Sequence, residues 1–177
     1  MSLLVTIQRF LKQKRIEFAT ACPGVLKLGF ADHNGVFVGY IQVDEEERMI
    51  LVRTAAPLKA PVEERLQIAE LLARLNPHIV FGNFEIDLPS GLITCKTSII
   101  LGRSGCHPDL VSRLLSANWW EMKRWFPAVE AVIIADLSPK QAVNMIAREH
   151  QPDDGDDVGV DDTFGRHLTA IKYGSMN

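Results

Sequence analysis

Two carboxylates and one amine form the best-placed polar group in the sequence: Glu85, Asp87 and Lys96. Residues i and i+2 of a strand project to the same face, so Glu85 and Asp87 stand together, and a hairpin brings Lys96 across from them. An ammonium beside a carboxylate pair drives the pKa values apart, which is what acid–base catalysis needs. The plainer reading, a solvated ion-pair ladder on an exposed sheet face, is the preferred one. Cys106-His107 is the nearest approach to a nucleophile with its base. Adjacent residues seldom aim their side chains together, although a helix starting just after them could lower the thiol pKa. They are read as ordinary loop. Cys22, Cys95 and Cys106 contain no C-x-x-C pair, and Cys95 falls on an apolar face, which argues against a metal. Aspartates 153, 154, 156, 157, 161 and 162 imitate a calcium loop but lack its terminal glutamate and flanking helices. His33, His78, His107, His150 and His167 are scattered singly, and the glycine-rich phosphate loops, the nucleophile elbow and the H-E-x-x-H motif are absent. No catalytic residue, metal or cofactor is assigned.

The elements that must position these residues follow from hydrophobic period. Leu3, Leu4, Ile7, Phe10 and Leu11 share one stripe of a helix over 3–13. From residue 25 the period falls to two, and Asn34-Gly35 marks a hairpin. A turn centred there opposes Leu28 to Ile41 and Leu26 to Val43. Asp44-Glu45-Glu46-Glu47 reads as a solvated turn into a third strand over 49–54. Pro61 opens a helix whose stripe runs Leu66, Ala69, Leu72, Leu75, widened by Ile68 and Leu71, and which ends at Asn76-Pro77. A second hairpin turns at Pro89-Ser90 and opposes Asn83 to Lys96, Phe84 to Cys95, Glu85 to Thr94 and Ile86 to Ile93. Pro108 begins the clearest helix, with Val111, Leu115, Trp119, Met122 and Phe126 on its seam, and Pro127 interrupts it. Residues 128–135 fit either a helix or a buried strand. Ser138-Pro139 caps a short closing helix. The order is helix, three strands, helix, two strands, long helix, then one or two shorter helices. Its tight turns make antiparallel pairs, so the class is α+β with helices packed on one face of the sheet.

The chain of 177 residues and 19.8 kDa can bury a core without disulfide or metal staples. Residues 1–150 are expected to form one domain, and residues 151–177 an acidic, mobile tail. Six aspartates against Arg166 and Lys172 give that tail −4, whereas 17 Lys+Arg against 16 Asp+Glu leave the remainder at +1. A near-neutral body makes no broad positive field, which disfavours nucleic acid, and no apolar run approaches a membrane span. Three cysteines cannot all pair with one another, and the N-terminal residues do not resemble a cleaved signal, so a reduced, cytoplasmic setting is expected.

Trp120 lies off the seam of the long helix, among Arg113, Ser116, Lys123 and Arg124. An indole among cations is not easily buried by the same sheet that covers Trp119. It meets another chain, or is covered by the final helix, or stands in solvent, with Lys123 or Arg124 in position for a cation–π contact. The first reading is preferred and makes Trp119, Trp120, Lys123 and Arg124 candidate interface residues. The function expected is a non-enzymatic interaction module, a homodimer docking an unknown partner polypeptide on a sheet edge or in a groove beside the long helix. The alternatives are a small-ligand sensor, with a pocket lined by Phe84, Cys95 and Trp119, and an acid–base enzyme using Glu85, Asp87 and Lys96.

The stretch from Arg65 through Leu71-Leu72-Ala73-Arg74-Leu75-Asn76, Phe81-Gly82-Asn83-Phe84-Glu85-Ile86-Asp87, Gly91-Leu92-Ile93 and Lys96-Thr97-Ser98 resembles the YbjN domain family. Pro57 and Pro61, Trp125-Phe126-Pro127 and Ser138-Pro139 with Ala142 resemble it too, and the likeness spans about 3–149. It implies a fold like that of type III secretion chaperones, which are small, acidic, cytoplasmic homodimers that hold partner proteins without ATP. Members are described as sensory-transduction regulators with no established reaction, so the resemblance carries over no catalytic residue. The near-neutral body and acidic tail depart from that picture.

Overall fold

Alternation along the extended segments decides which side of the sheet is covered. The computed structural model describes residues 2–102 and 106–149. Within them run α1 (Leu3–Gln13), β1 (Phe18–Cys22), β2 (Val25–Asp32), β3 (Gly35–Asp44), β4 (Met49–Ala55), α2 (Arg65–Leu75), β5 (Asn83–Asp87), β6 (Leu92–Ile100), α3 (Pro108–Ile133) and α4 (Pro139–Glu149). The strands form one six-stranded antiparallel sheet in the order β1-β2-β3-β4-β6-β5. Leu26, Ile41, Val52 and Thr97 lie in one row across it, all buried on the helix side. The row Lys27, Tyr40, Arg53, Lys96, Asn83 lies on the opposite, open face. Apolar residues from all four helices and the covered face of the sheet join in one core, so the chain is α+β with its helices on one face.

The second hairpin has the expected register, Asn83 opposite Lys96 through Ile86 opposite Ile93. The first is shifted by two. Leu28 faces Gly39 and Leu26 faces Ile41, because His33-Asn34 form the loop and Asp32 pairs with Gly35. Positive φ falls on Gly35, at 130°, and not on the loop pair. A shift of two returns every side chain to its own face, so the covered side is unchanged. Strand β1 was not foreseen: four of its five residues are exposed and leave no alternating signal. Pro127 does not interrupt α3. Phe126, Ala128, Val129, Ala131 and Val132 around it are all buried, and each large apolar side chain contributes roughly 1.5–3 kcal/mol. Together these outweigh the ~3 kcal/mol that an interior proline costs, and the same burial settles 128–133 as helix. In α4, Gln141 Oε1 accepts from the backbone N–H and the hydroxyl of Ser138, at 3.0 and 2.6 Å, a form of capping box. The acidic stretch over 151–177 lies outside the described residues.

Glu45 does more than solvate its turn. Its carboxylate accepts from the N–H groups of Leu3 and Leu4, each at 3.0 Å, and from the Ser2 hydroxyl at 2.5 Å. The β3–β4 turn therefore covers the positive end of α1. Burial works to raise this carboxyl's pKa, but the Leu4, Ser2 and Leu3 donors and the Arg48 charge outweigh it and hold the pKa below the ordinary carboxylate value. A depressed folded-state pKa gives stability that is present above the unfolded value and lost as pH falls through the folded one. Glu45→Ala is expected to cost about 1 kcal/mol near neutral pH, with the gap to wild type closing on acidification. Urea melts at the two pH values read both, and an equal loss at each would show that the charge is not what caps the helix.

Candidate functional site: a cleft beside the long helix

Residues 120, 123, 124 and 127 follow the i, i+3, i+4, i+7 spacing that puts side chains on one helix face. On α3 this face carries Trp120, Lys123, Arg124 and Pro127. The β2–β3 turn brings His33 and Asn34 to it, and α4 brings Ile146, enclosing a cleft of about 200 Å³. None of these lining residues is acidic. Trp120 is 56% exposed, the largest aromatic surface among the exposed hydrophobic residues described. α4 borders the indole without burying it. Arg124 places its guanidinium carbon 5.1 Å from the Trp125 ring centre, and its Nε is buried with no hydrogen-bond partner. A donor in that state awaits an acceptor. Glu121, one helical turn back, is almost wholly buried; burial pushes its carboxyl pKa up, against the pull of the Arg124 charge.

Trp119 points the other way. It is 8% exposed, stacks on Phe30 with ring centres 5.0 Å apart, and meets Phe37 edge-on at the same distance. Its place is the core, one residue from Trp120 and about 100° round the helix from it. Phe84 and Cys95 are core residues as well, and burial pushes the Cys95 thiol pKa far up. The sites expected to line a ligand pocket are therefore filled by packed side chains.

The structure brings Glu85 and Lys96 together as an ion pair, with Arg53 Nε 3.9 Å from the second carboxylate oxygen. Burial alone would raise the Glu85 pKa, but the bonds from Lys96 and Asn83 and the charges of Lys96 and Arg53 hold it below the usual range. Asp87 does not join them. Its Oδ2 accepts from the Ser90 hydroxyl and from the Ser90 N–H at 3.1 Å, which ties it into the β5–β6 turn. Cys106 does not approach a lowered pKa either, since burial raises it and the nearby Arg48 charge only offsets this. Its Sγ lies 3.9 Å from the His107 carbonyl oxygen, while the His107 ring caps α3 by accepting from Asp109 N–H at 3.3 Å. Among the described residues, no group of three or more His, Cys, Asp and Glu is placed to hold a metal ion, and no helix is long and apolar enough to cross a membrane.

Sequence reading found the cleft's α3 side from helical spacing but missed His33 and Asn34, which arrive from a turn almost ninety residues earlier. It also missed what Asn76 does. The Asn76 amide accepts from Phe84 N–H at 2.7 Å and donates to Phe84 C=O at 3.1 Å, so one side chain pairs with the outer rim of edge strand β5 as a neighbouring strand would. The signal for it was the asparagine at the helix stop.

This arrangement of one antiparallel sheet backed by helices on a single side is a type III secretion chaperone-like fold. The chain belongs to the YbjN family, described as "Putative bacterial sensory transduction regulator", which it matches over residues 4–131. Among solved structures it is similar to YbjN from E. coli, described as "a putative transcription regulator", at 17% identity with a TM-score of 0.50, covering 84% of this chain and 93% of that one. It is also similar to a chain of the ExsC–ExsE complex, at 14% identity with a TM-score of 0.52, covering 71% and 94%. A chain of the HopA1–SchA chaperone–effector complex matches at 16% identity with a TM-score of 0.48, covering 68% and 90%. At these identities the likeness to the first two is one of fold. Among curated proteins, none matches.

Proposed function

We propose that the chain is a non-enzymatic protein-interaction module, regulatory or chaperone-like, that grips a partner polypeptide in the Trp120 cleft and works as a homodimer in the cytoplasm. The observation that carries this is the half-exposed indole set between Lys123 and Arg124, with an unpartnered guanidinium nitrogen beside it. Exposed aromatics with arginine are the side chains on which protein interfaces concentrate their binding energy. Leu66 on α2 and Val80 before β5, 77% and 97% exposed, supply apolar surface for a second copy. The three described cysteines are free, in keeping with a reducing compartment. The secretion chaperone-like fold supports the reading by analogy. Glu85 and Lys96 neutralise each other and Asp87 is held in its turn, so we assign them no acid–base work.

The test is a photo-crosslinking residue placed at 120 in cells, with one at the exposed Glu46 of the β3–β4 turn as control, alongside light scattering of the purified chain. We expect a polypeptide adduct at 120 that Lys123→Glu with Arg124→Glu removes, and a mass twice the 19.8 kDa chain at micromolar concentration. Equal adducts at 120 and 46 would overturn the cleft as partner site, and a monomeric mass would overturn the dimer.

A further inference from the structure

We propose that the chain's own acidic segment, Asp153 to Asp162, seats in the Trp120 cleft and so competes with whatever partner the cleft receives. The inference rests on the reading of the cleft as a polypeptide site and adds its regulation.

Three observations carry it. The first is position. Ile146 on the last turns of α4 is itself a wall of the cleft, and α4 ends at Glu149. The first aspartate comes four residues later, and an extended chain advances up to about 3.5 Å per residue, so Asp153–Asp157 need no more than a short return to reach Lys123. The second is charge. The segment carries Asp153, Asp154, Asp156, Asp157, Asp161 and Asp162 with no basic residue among them. The cleft presents Lys123 and Arg124, with His33 at its rim, and none of its described lining residues is acidic. The third is the Arg124 guanidinium, which lines the cleft and whose Nε has no hydrogen-bond partner, so a turn of the part-buried side chain is enough to present it to an acceptor there. A carboxylate satisfies such a donor with a charge-assisted hydrogen bond. Single ion pairs at a surface are weak, but a short tether holds the segment at about millimolar effective concentration, so several weak pairs suffice. Val158 and Val160 interrupt the acidic run and give the indole apolar contacts.

Acrylamide quenching of tryptophan fluorescence in the full chain reads this directly, because Trp119 and Trp125 are buried and the quencher reports chiefly on Trp120. The comparison is wild type against the chain carrying Asp153→Asn, Asp154→Asn, Asp156→Asn, Asp157→Asn, Asp161→Asn and Asp162→Asn. At low salt the quenching slope is expected to be about twofold steeper in the substituted chain, and the difference should close near 0.5 M NaCl, where the screening length is about 4 Å. A synthetic peptide of residues 151–164 added to the substituted chain should restore protection. Equal slopes at low salt overturn the proposal, as does protection that rises with protein concentration, which assigns the cleft to a second copy instead. These outcomes are separable from failure of the partner reading: if the tail gives no protection while the adduct at 120 persists, the cleft is a partner site without this competitor.

Discussion

Gly91→Ala is expected to destabilise the fold by about 3 kcal/mol or more. Gly91 closes the β5–β6 turn with φ at 73°, in the left-handed region where an added side chain is strained. A Cβ there would stand 2.2 Å from the Ala60 carbonyl oxygen and 3.2 Å from both the Ala60 carbonyl carbon and Arg65 Nε. The backbone on the other side cannot simply retreat. Ala60 N–H donates to the Gly91 carbonyl at 2.9 Å, Arg65 Nη1 donates to the Pro89 carbonyl at 3.0 Å, and Ala56 N–H donates to the Ile93 carbonyl at 2.9 Å. The linker between β4 and α2 is thus laced to the hairpin at the point where the methyl would intrude. Denaturant unfolding measures the loss, and a cost below about 1 kcal/mol would mean that the linker yields freely and the lacing contributes little.

Asn118→Leu is expected to cost about 2–4 kcal/mol, though the replacement is close in volume. Asn118 is buried on α3. Its Oδ1 accepts from the Thr54 hydroxyl at 2.5 Å, and its Nδ2 donates to the carbonyls of Cys95 at 3.0 Å and Val52 at 3.4 Å. One amide therefore joins the long helix to two neighbouring strands through groups that water does not reach. Leucine leaves the Thr54 hydroxyl buried and unmade, and a dry polar group without a partner is where the cost arises. A double-mutant cycle separates this from packing. Thr54→Val should be costly in the wild type and close to neutral in the Asn118→Leu background. Additive costs would show that the pair does not act as a unit.

Both sites show how far the sequence could be read. The turn at Pro89-Ser90 and its register were legible because apolar alternation on both flanks permitted one pairing, with Phe84 against Cys95 on the covered face. That Gly91 meets Ala60 was not, since the contact joins segments thirty residues apart. Asn118 was hidden for a related reason. A polar residue on a helix reads as solvent-facing unless the strand carbonyls opposite it are known. The first hairpin shows the weakness of a dipeptide signal. Asn34-Gly35 announced a turn correctly, but the loop settled one residue earlier. Strand β1 carried no pattern because four of its five residues are exposed, so neither face is marked by burial. On α3, spacing separated Trp120 from Trp119 and thereby found the cleft's aromatic wall. The histidine and asparagine completing it, and the terminal turns of α4 that border it, came from chain folding alone.

The amide of Asn76 has a consequence for how molecules of this kind stack. By occupying the outer backbone of Phe84, it interrupts one rim of the sheet and leaves the rim at β1 as the other place where a foreign strand can add. A sheet with two open rims can lengthen without limit, molecule upon molecule. One that is stoppered on one side can join a neighbour once, rim to rim, and then presents only stoppered ends, so association along this direction closes on itself before it becomes a fibre.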